Sequence, residues 1–229
     1  NKLPDGADSY FKVDGQELGE RNSKWLNEDY VKFIRYAQYK LACSGNGVLG
    51  FITNHGYLDN PTFRGMRQSL LTSFNSIGIT DLHGNSKKRE KCPDGSKDEN
   101  VFNIQQGVAV NISIKKVKEK AVEYLSFWGS RQLKNSKCAE NTYFSLEEKE
   151  LLKPSSEFYL FTPLDIDTRE DFESYFKINE IFPINGVGIT TARDAFVISD
   201  DKQLLIENAS AFKDSTLSDS KLCQFLNIP

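Results

Sequence analysis

Apolar residues in the first half of the chain follow two different periods. They recur every three or four residues over positions 27–42 and 61–73, which predicts two amphipathic helices. Residues 47–53 form a short continuous apolar run, typical of a strand buried on both faces, and residues 77–82 are predicted as the next strand. Strict alternation over 107–115 predicts a strand with one covered face, at a sheet edge or in an antiparallel pair.

Turn signals bound these elements. Gly45 can end the first helix, and Asn60 followed by Pro61 can start the second. Residues 1–23 are polar and predicted to be irregular, and 83–99 form a long polar loop of the kind that is often functional or disordered. The order helix, strand, helix, strand, loop, strand indicates the C-terminal half of an open α/β sheet over residues 1–118.

The pattern changes after about residue 120, where a second unit of α+β type is expected over residues 119–229. Short strand-like pieces are predicted there, at 121–125, 158–161, 186–191 and 196–198. Three helices are predicted to begin at a capping side chain, namely at Ser145 (in a capping box with Glu148), Thr168 and Ser218.

Charge is unevenly distributed in a chain of 229 residues with a net charge of −3. Residues 82–139 carry twelve basic and six acidic side chains, whereas residues 140–180 carry eleven acidic and four basic ones. The net charge argues against a strongly basic nucleic-acid coat. The basic middle is compatible with a surface that faces phosphate and equally with ordinary solvated surface.

The four cysteines form neither a disulfide framework nor a zinc motif, and they favour reduced thiols in the cytoplasm. With only His55 and His83 available, no metal site is expected. No apolar run is long enough for a membrane helix, so no membrane partner is expected. Met66 is the only methionine, so the chain starts at Asn1 without an initiator, and we expect a removed segment or a piece of a longer chain.

Two motif matches are rejected on their context. The G-x-G-x-x-G of residues 45–50 follows a helix and opens a strand, whereas a dinucleotide fingerprint follows a strand and opens a helix. Asn60-Pro61-Thr62-Phe63 is superficially similar to the Asn-Pro-Pro-Tyr motif of amino-methyltransferases but lacks the second proline. The chain also contains no P-loop and no evident catalytic triad.

The segments after two predicted strands carry the candidate chemistry, because ligands bind at the C-terminal ends of strands in open α/β sheets. Asn54, His55 and Tyr57 could meet a nucleobase, or they could form a surface turn. The basic residues on the glycine-bearing loop after the second strand suit phosphate contact, or they are a solvated charge run; they are Lys87, Lys88, Arg89 and Lys91, which follow Asn85. Phe102 could stack on a base or belong to the core.

Taken in order, these strings resemble the gamma-class adenine-amino DNA methyltransferase module of type ISP restriction–modification enzymes. The strings are KWLNEDYVKFIR (24–35), GFITNHGYLD (50–59), TFRGMR (62–67), DLHGN (81–85) and NVFNIQQGVA (100–109). Later strings are similar to the C-terminal specificity region of the same enzymes, namely FWGSR (127–131), FYLF (158–161), IFPINGVGI (181–189) and TARD (191–194). The resemblance covers nearly the whole chain.

The resemblance implies a fragment: the end of a Rossmann-like methyltransferase sheet (1–118) and the start of a target-recognition region (119–229). The S-adenosylmethionine loop and the Asn-Pro-Pro-Tyr motif of the family are absent from this sequence, so the implied cofactor would be bound upstream. The implied partners are double-stranded DNA, an upstream methyltransferase half and possible nuclease and translocase domains of the same polypeptide.

By resemblance, Phe102 would stack on the flipped adenine, the Asn54–Tyr57 loop would line the base pocket, and residues 85–91 would face DNA. Arg193 is added as a candidate DNA contact. An alternative is a non-catalytic DNA-binding specificity module, and a structural protein ranks behind both.

Overall fold

A computed structural model describes residues 2–20, 23–116, 120–142, 145–146, 148–164, 171, 174–184, 197–214 and 216–225. Its strands are β1 (Lys12–Val13), β2 (Gln16–Glu17), β3 (Gly47–Asn54), β4 (Ser76–Asp81), β5 (Val108–Lys115), β6 (Ala121–Ser126) and β7 (Glu150–Leu152). Its helices are α1 (Asp29–Ser44), α2 (Arg64–Ser73), α3 (Arg131–Glu140), α4 (Ile178–Ile181), α5 (Lys202–Lys213) and α6 (Asp219–Phe225). The fold is mixed α/β.

The main sheet has five strands in the order β3-β5-β4-β6-β7. Strand β5 runs antiparallel to both of its neighbours, β4 and β6 are parallel, and β7 is antiparallel to β6. The antiparallel pairing predicted from the alternation of β5 is therefore confirmed. The assignment of this mixed sheet to half of a Rossmann-like sheet stays a prediction.

Apolar side chains from the two long helices and the sheet form the main core. Ile34 of α1 and Met66 and Leu70 of α2 are buried in it with Ile77 and Ile79 of β4. A smaller cluster lies around the end of β4 and contains Leu82, Val101, Val108, Leu125 and Phe127. The second cluster packs beneath the loops that leave the sheet, so it supports the end where the candidate site lies.

The helix boundaries follow from the local sequence. Helix α1 ends at Gly45, which adopts the left-handed conformation (φ +76°) and donates its N–H to the carbonyl of Leu41. Strand β3 begins two residues later, which confirms that the glycine motif links a helix to a strand. The Asn60 side chain accepts the N–H of Thr62 and caps the 3-10 turn Pro61–Phe63 that leads into α2.

Two predictions for the first half were wrong. Strand β3 is not buried on both faces: it is an edge strand of the described sheet, and Val48 and Ile52 are 62% and 56% exposed. An apolar run shows that its side chains favour burial, but it does not show whether both faces of the strand are covered. The N-terminal segment is not wholly irregular, because β1 and β2 form a short antiparallel hairpin and Tyr10 and Leu18 are buried in the core.

Three further predictions were wrong in the second half. Residues 158–161 form no strand, and the Ser145–Glu148 capping box precedes β7 instead of a helix. The strand predicted at 121–125 is confirmed as β6, and the helix after Ser218 is confirmed as α6. Of the strand predicted at 196–198, Val197 and Ile198 are described and form no strand. The strand predicted at 186–191 and the helix start at Thr168 lie outside the described residues.

Arg67 explains why residues 158–161 are ordered without strand pairing. Its guanidinium is fully buried on α2 and donates to four carbonyls, those of Tyr57, Asn60, Phe158 and Tyr159, at 2.6–3.1 Å. Burial lowers the pKa of Arg67 to about 10. Three of the five hydrogen bonds go to the carbonyls of Phe158 and Tyr159 and hold that segment without the ladder that a strand would have supplied.

The chain divides into two compact units, residues 1–169 and 170–229. The main sheet lies wholly in the first unit and includes β6 and β7, which follow residue 119. Compactness does not test the division by function at 118/119, which stays a prediction. Among the described helices, none has the length and apolar character needed to cross a membrane.

Candidate functional site

The candidate site lies where β3 and β4 leave the sheet on either side of β5. Ala109 of β5 is paired with Thr53 of β3 on one side and with Asp81 of β4 on the other. The chain continues from β3 directly into His55, whose N–H donates to the carbonyl of Gly107 at 2.9 Å. The strand pairing therefore brings His55 next to Asp81, although they are 26 residues apart in sequence.

The carboxylate of Asp81 is buried and hydrogen-bonded on both oxygens. Its Oδ1 accepts from His55 Nδ1 at 3.0 Å and from the backbone N–H of His83 at 2.9 Å. Its Oδ2 accepts from the hydroxyl of Tyr124 at 3.3 Å and lies 3.6 Å from His83 Nδ1. A buried carboxylate with this many donors is strongly favoured in its ionised form.

The contacts between Asp81 and His55 shift the pKa values of both residues. Burial alone would raise the pKa of Asp81, but the hydrogen bond from His55 and the nearby imidazoles outweigh burial and lower it below its ordinary value of 3.8. Burial alone would lower the pKa of His55, but the hydrogen bond and charge of Asp81 outweigh burial and raise it above 6.5. Each partner thus favours the charged form of the other.

A third group sets the proton position on His55. The Asn85 side chain accepts the N–H of Lys88 on Oδ1 at 3.1 Å, which turns its Nδ2 toward His55 Nε2 at 3.2 Å. In the neutral form of His55, Nε2 is then the acceptor and Nδ1 carries the proton that is donated to Asp81. Asn85 is half-buried and directed inward, so the structure places it in the His55 network and the basic residues after it at the surface.

Gly107 admits the His55 ring to this position. A Cβ on residue 107 would lie 2.3 Å from the Cε1 and Nε2 atoms of the ring, so no other residue fits while the imidazole stays in place. The glycine at the start of β5 is therefore part of the site.

His83 is buried on the other side of Asp81. Its backbone is in the left-handed region (φ +49°), and its ring stacks on Trp128 with centroids 3.4 Å apart and planes 14° apart. Glu90 lies 3.9 Å from His83 Nδ1, whereas His83 Nε2 is buried without a hydrogen-bond partner among the described atoms. A cavity of about 190 Å³ lies beside this cluster and is lined by Leu58, Asp59, Lys88, Glu90, Trp128 and Thr162 as well as the network.

His55, Asp81 and His83 each offer one metal-ligand atom within 4.8 Å of the others. His83 Nδ1 faces the carboxylates of Asp81 and Glu90, and His83 Nε2 has no hydrogen-bond partner among the described atoms. The oxygens of Asp81 are already hydrogen-bonded. The expectation of no metal stays a prediction, and the arrangement is better described as a proton-sharing network.

The predicted basic residues lie on an exposed turn over residues 86–89 and just after it. Lys87, Lys88, Arg89 and Lys91 are all exposed. Lys88 Nζ lies 3.1 Å from Asp59 Oδ2, which ties the turn to the segment after β3. Arg193 lies outside the described residues.

Phe102 projects from a loop beside this turn, with its residue 48% exposed. The N–H of Ser86 donates to the carbonyl of Gln105 at 3.1 Å, so the basic turn and the Phe102 loop are directly joined. Asn54 caps the turn after β3 by accepting the N–H of Gly56. Tyr57 is fully buried, and its hydroxyl pairs with Asn111, so it lies in the core behind the loop.

Several residues of the site were not predicted as site residues. Trp128, Arg131 and Lys134 reach the loops that follow β4 and precede β5 from positions tens of residues later in the chain. Asp81 was recognisable only as the polar residue that closes an apolar run. The basic turn and Phe102 were both predicted, and the structure brings them together with His55 at one end of the sheet.

Neither known family models nor curated protein sequences give a match. Solved structures do. DrdV, in a complex with DNA, is 20% identical over 85% of this chain and 20% of its own, with a TM-score of 0.61. A nuclease-deletion mutant of the type ISP restriction–modification enzyme LlaGI, in complex with a DNA substrate mimic, is 24% identical over 90% of this chain and 19% of its own, with a TM-score of 0.65.

A third structure is the ATP-dependent type ISP restriction–modification enzyme LlaBIII bound to DNA. It is 27% identical over 70% of this chain and 12% of its own, with a TM-score of 0.50. This chain therefore spans a fifth or less of each of the three proteins and shares its fold with a segment of them. The likeness to restriction–modification enzymes agrees with the resemblance found in the sequence.

The charge on Asp81 is expected to hold the site together. Asp81→Asn keeps the shape but leaves His55 and His83 facing a neutral amide, so we expect the free energy of unfolding at pH 7 to fall by about 3 kcal/mol, the order observed when one partner of a buried pair is removed. Urea unfolding measures this loss. Asp29→Asn, an exposed carboxylate at the start of α1, is the matched control and should change little.

The dependence of unfolding free energy on pH should have opposite directions for Asp81 and His55. Because folding lowers the pKa of Asp81, its contribution is present above about pH 4 and is lost as the pH falls through the folded value. Because folding raises the pKa of His55, its contribution is present below about pH 6.5 and is lost as the pH rises through the folded value. Asp81→Asn should flatten both flanks, and a variant with the wild-type profile would contradict the assignment.

Proposed function

We propose that the chain is part of a DNA adenine amino-methyltransferase of a restriction–modification system and supplies the part that faces DNA and receives the target base. The observation that carries the proposal is an exposed aromatic ring joined to an exposed basic turn at one end of the sheet, in a fold shared with enzymes that were solved bound to DNA. Basic residues on a turn suit phosphate contact, and an exposed ring beside them suits an unstacked base.

In the proposed reaction the methyl group of S-adenosylmethionine moves to the exocyclic nitrogen of adenine. The bond from sulfur to methyl breaks, the bond from nitrogen to methyl forms, the nitrogen loses a proton, and S-adenosylhomocysteine leaves. Hydrogen-bond acceptors must raise the nucleophilicity of the amino group, and the motif that would supply them is absent from this sequence. The role proposed for this chain is binding and orientation of DNA and base.

The open edge of β3 supports the idea that more of the sheet is supplied from elsewhere in a longer polypeptide. No described strand pairs with the outer edge of β3, although its other edge is paired with β5 along its full length. Val48 and Ile52 on this edge strand are exposed. A long, exposed apolar edge strand is unfavourable unless another strand or layer covers it.

The alternative is a DNA-binding specificity module without catalytic function. It is favoured by the same basic turn and by the lack of both methyltransferase motifs in this sequence. Both hypotheses require that the chain binds DNA through phosphate. They differ in whether the chain also captures a base.

The chain alone is expected to transfer no methyl group. Duplex DNA and S-adenosylmethionine labelled in the methyl group should yield no labelled DNA, because neither the cofactor loop nor the Asn-Pro-Pro-Tyr motif is present in the sequence. An active adenine methyltransferase in the same buffer is the positive control. Turnover above background by the purified chain would contradict the placement of the catalytic motifs outside it.

The basic turn should contribute non-specific electrostatic affinity for DNA. In the double variant Lys87→Glu/Arg89→Glu we expect weaker binding to all duplex sequences alike, with a salt slope reduced by about 2, since each lost phosphate contact removes roughly 0.9 from the slope on B-DNA. Mobility shifts over a salt series measure this slope. Lys32→Glu/Lys40→Glu, which changes the same charge on the exposed face of α1, is the control, and an equal effect of both pairs would refute a localised contact.

Phe102 should report base capture separately from phosphate contact. The probe is a duplex with 2-aminopurine opposite a mismatch, where the cost of unstacking is small. We expect binding of the wild-type chain to change the fluorescence, Phe102→Ala to abolish the change, and affinity for a fully paired duplex to stay the same. Phe33→Ala removes a comparably exposed ring on α1 and should behave as wild type.

A signal that survives Phe102→Ala would remove base stacking from the proposal. DNA binding with no fluorescence change in the wild type would favour the non-catalytic module.

A further inference from the structure

The loop that presents Phe102 is held by side chains and not by a strand or helix ladder. Residues 101–106 form bends between the long polar loop and β5. The backbone N–H of Phe102 donates to Asn100 Oδ1 at 2.8 Å, and the carbonyl of Phe102 accepts from Arg131 Nη2 at 2.9 Å. Both backbone polar groups of the candidate stacking residue are thus fixed by a neighbouring side chain.

Asn100 closes the loop from inside. Its side-chain amide donates to the carbonyl of Gly84 at 3.0 Å and to that of Gln106 at 2.7 Å. One side chain therefore connects the start of the loop, the end of the loop and the segment after β4. Asn100 itself is buried, which places its three hydrogen bonds away from competing water.

Helix α3 holds the same loop from outside. Its N-terminus is capped by Ser130 Oγ, which accepts the N–H of Leu133. Arg131 and Lys134 are three residues apart and lie on one face of α3. Arg131 Nε donates to the carbonyl of Asn100 at 2.7 Å, so the guanidinium bridges two carbonyls on either side of the turn that carries Phe102.

Arg131 and Lys134 of α3 have different partners. Lys134 is fully buried, and its Nζ donates to the carbonyls of Leu82 and Glu99 and pairs with Asp98 at 2.7 Å. These partners fix α3 to the end of β4, which is a structural task. Arg131 is half-buried, and both of its side-chain hydrogen bonds go to the backbone of residues 100 and 102.

We propose that Arg131 and Asn100 are positioning residues that hold Phe102 outward at the edge of the site, ready to stack on a target base. The proposal rests on the proposed function for the base, but the clamp itself is a property of the DNA-free chain. A planar guanidinium reaches both carbonyls with fixed geometry, whereas the ammonium group of lysine is a single point donor. The order of the loop, and with it the direction of the Phe102 ring, depends on that geometry.

The first arm of the test measures the clamp without DNA. In Arg131→Met we expect hydrogen exchange within residues 101–106, above all at the Phe102 amide that is bonded to Asn100 Oδ1, to accelerate by about tenfold or more, because two hydrogen bonds that close the loop are lost. Exchange in α1 and α2 should stay as in the wild type. Gln132→Met, an exposed neighbour on α3, is the matched control. Unchanged exchange at 101–106 in Arg131→Met would overturn the clamp whatever the chain does with DNA.

The second arm measures the consequence for the base. With the mismatched 2-aminopurine duplex, Arg131→Met should lose most of the fluorescence change that depends on Phe102 while keeping its affinity for a paired duplex within about threefold. Arg131→Lys keeps the charge and should fall between the two, so it separates positioning from loss of a phosphate contact. If Arg131→Met fails to fold, both measurements are made on Arg131→Lys instead.

The results of the two arms distinguish failure of the positioning role from failure of the proposed function. Faster exchange in Arg131→Met with a wild-type fluorescence change would overturn the positioning role. Weaker binding to paired and mismatched duplexes alike, rescued fully by Arg131→Lys, would also overturn it, because it would make Arg131 a phosphate contact. If the wild-type chain shows no fluorescence change that Phe102→Ala removes, the proposed function fails and the role toward the base fails with it, even where the exchange arm reveals a clamp.

Discussion

The buried carboxylate of Asp81 is the constraint on which the site depends. Its donors come from three places: His55 after β3, His83 after β4 and Tyr124 within β6. A buried charge is tolerated only where such donors surround it, so the segments that leave β3 and β4 cannot move independently without exposing or unpairing it. Gly107 belongs to the same constraint, because the His55 ring occupies the space that a side chain there would fill.

Local periodicity was sufficient to predict four of the five strands of the main sheet and two long helices, because α1, α2, β4, β5 and β6 each carry their own pattern. The three residues of β7 are too few to show a period, and that strand was not predicted. It failed where burial depends on neighbours distant in sequence. Val48 and Ile52 belong to an apolar run, yet their exposure depends on what packs over their face of β3, which the run itself does not show. Residues 158–161 have the composition of a strand, but their first two carbonyls are held by Arg67 from α2.

The residues of the candidate site also divide into those that the sequence could predict and those that it could not. The basic turn was predictable, because glycine, lysine and asparagine after an apolar run mark a loop at a strand end. Phe102 followed only from the family resemblance, because its composition left open whether it belongs to the core. The residues that hold them were not predictable, since Arg131 and Lys134 have the composition of an ordinary solvated helix face. Only the fold shows that this face meets the backbone of residues 99–102. Asn85 illustrates the converse, because a loop position predicted to face DNA is directed inward to His55.

The arrangement also limits what this chain can contribute to sequence recognition. Phosphate contacts by a basic turn give affinity and register without reading sequence, and stacking on a phenylalanine accepts any base with a free face. In the proposed function, discrimination between bases must therefore come from hydrogen-bonding groups that meet base edges. Among the described residues at this end of the sheet, Asp81 and His55 are engaged with each other, and Asn100 and Asn85 are engaged with the backbone and the histidine. The polar groups here are used to build a rigid platform, which leaves the edges of the base to be read by parts of the protein beyond this platform.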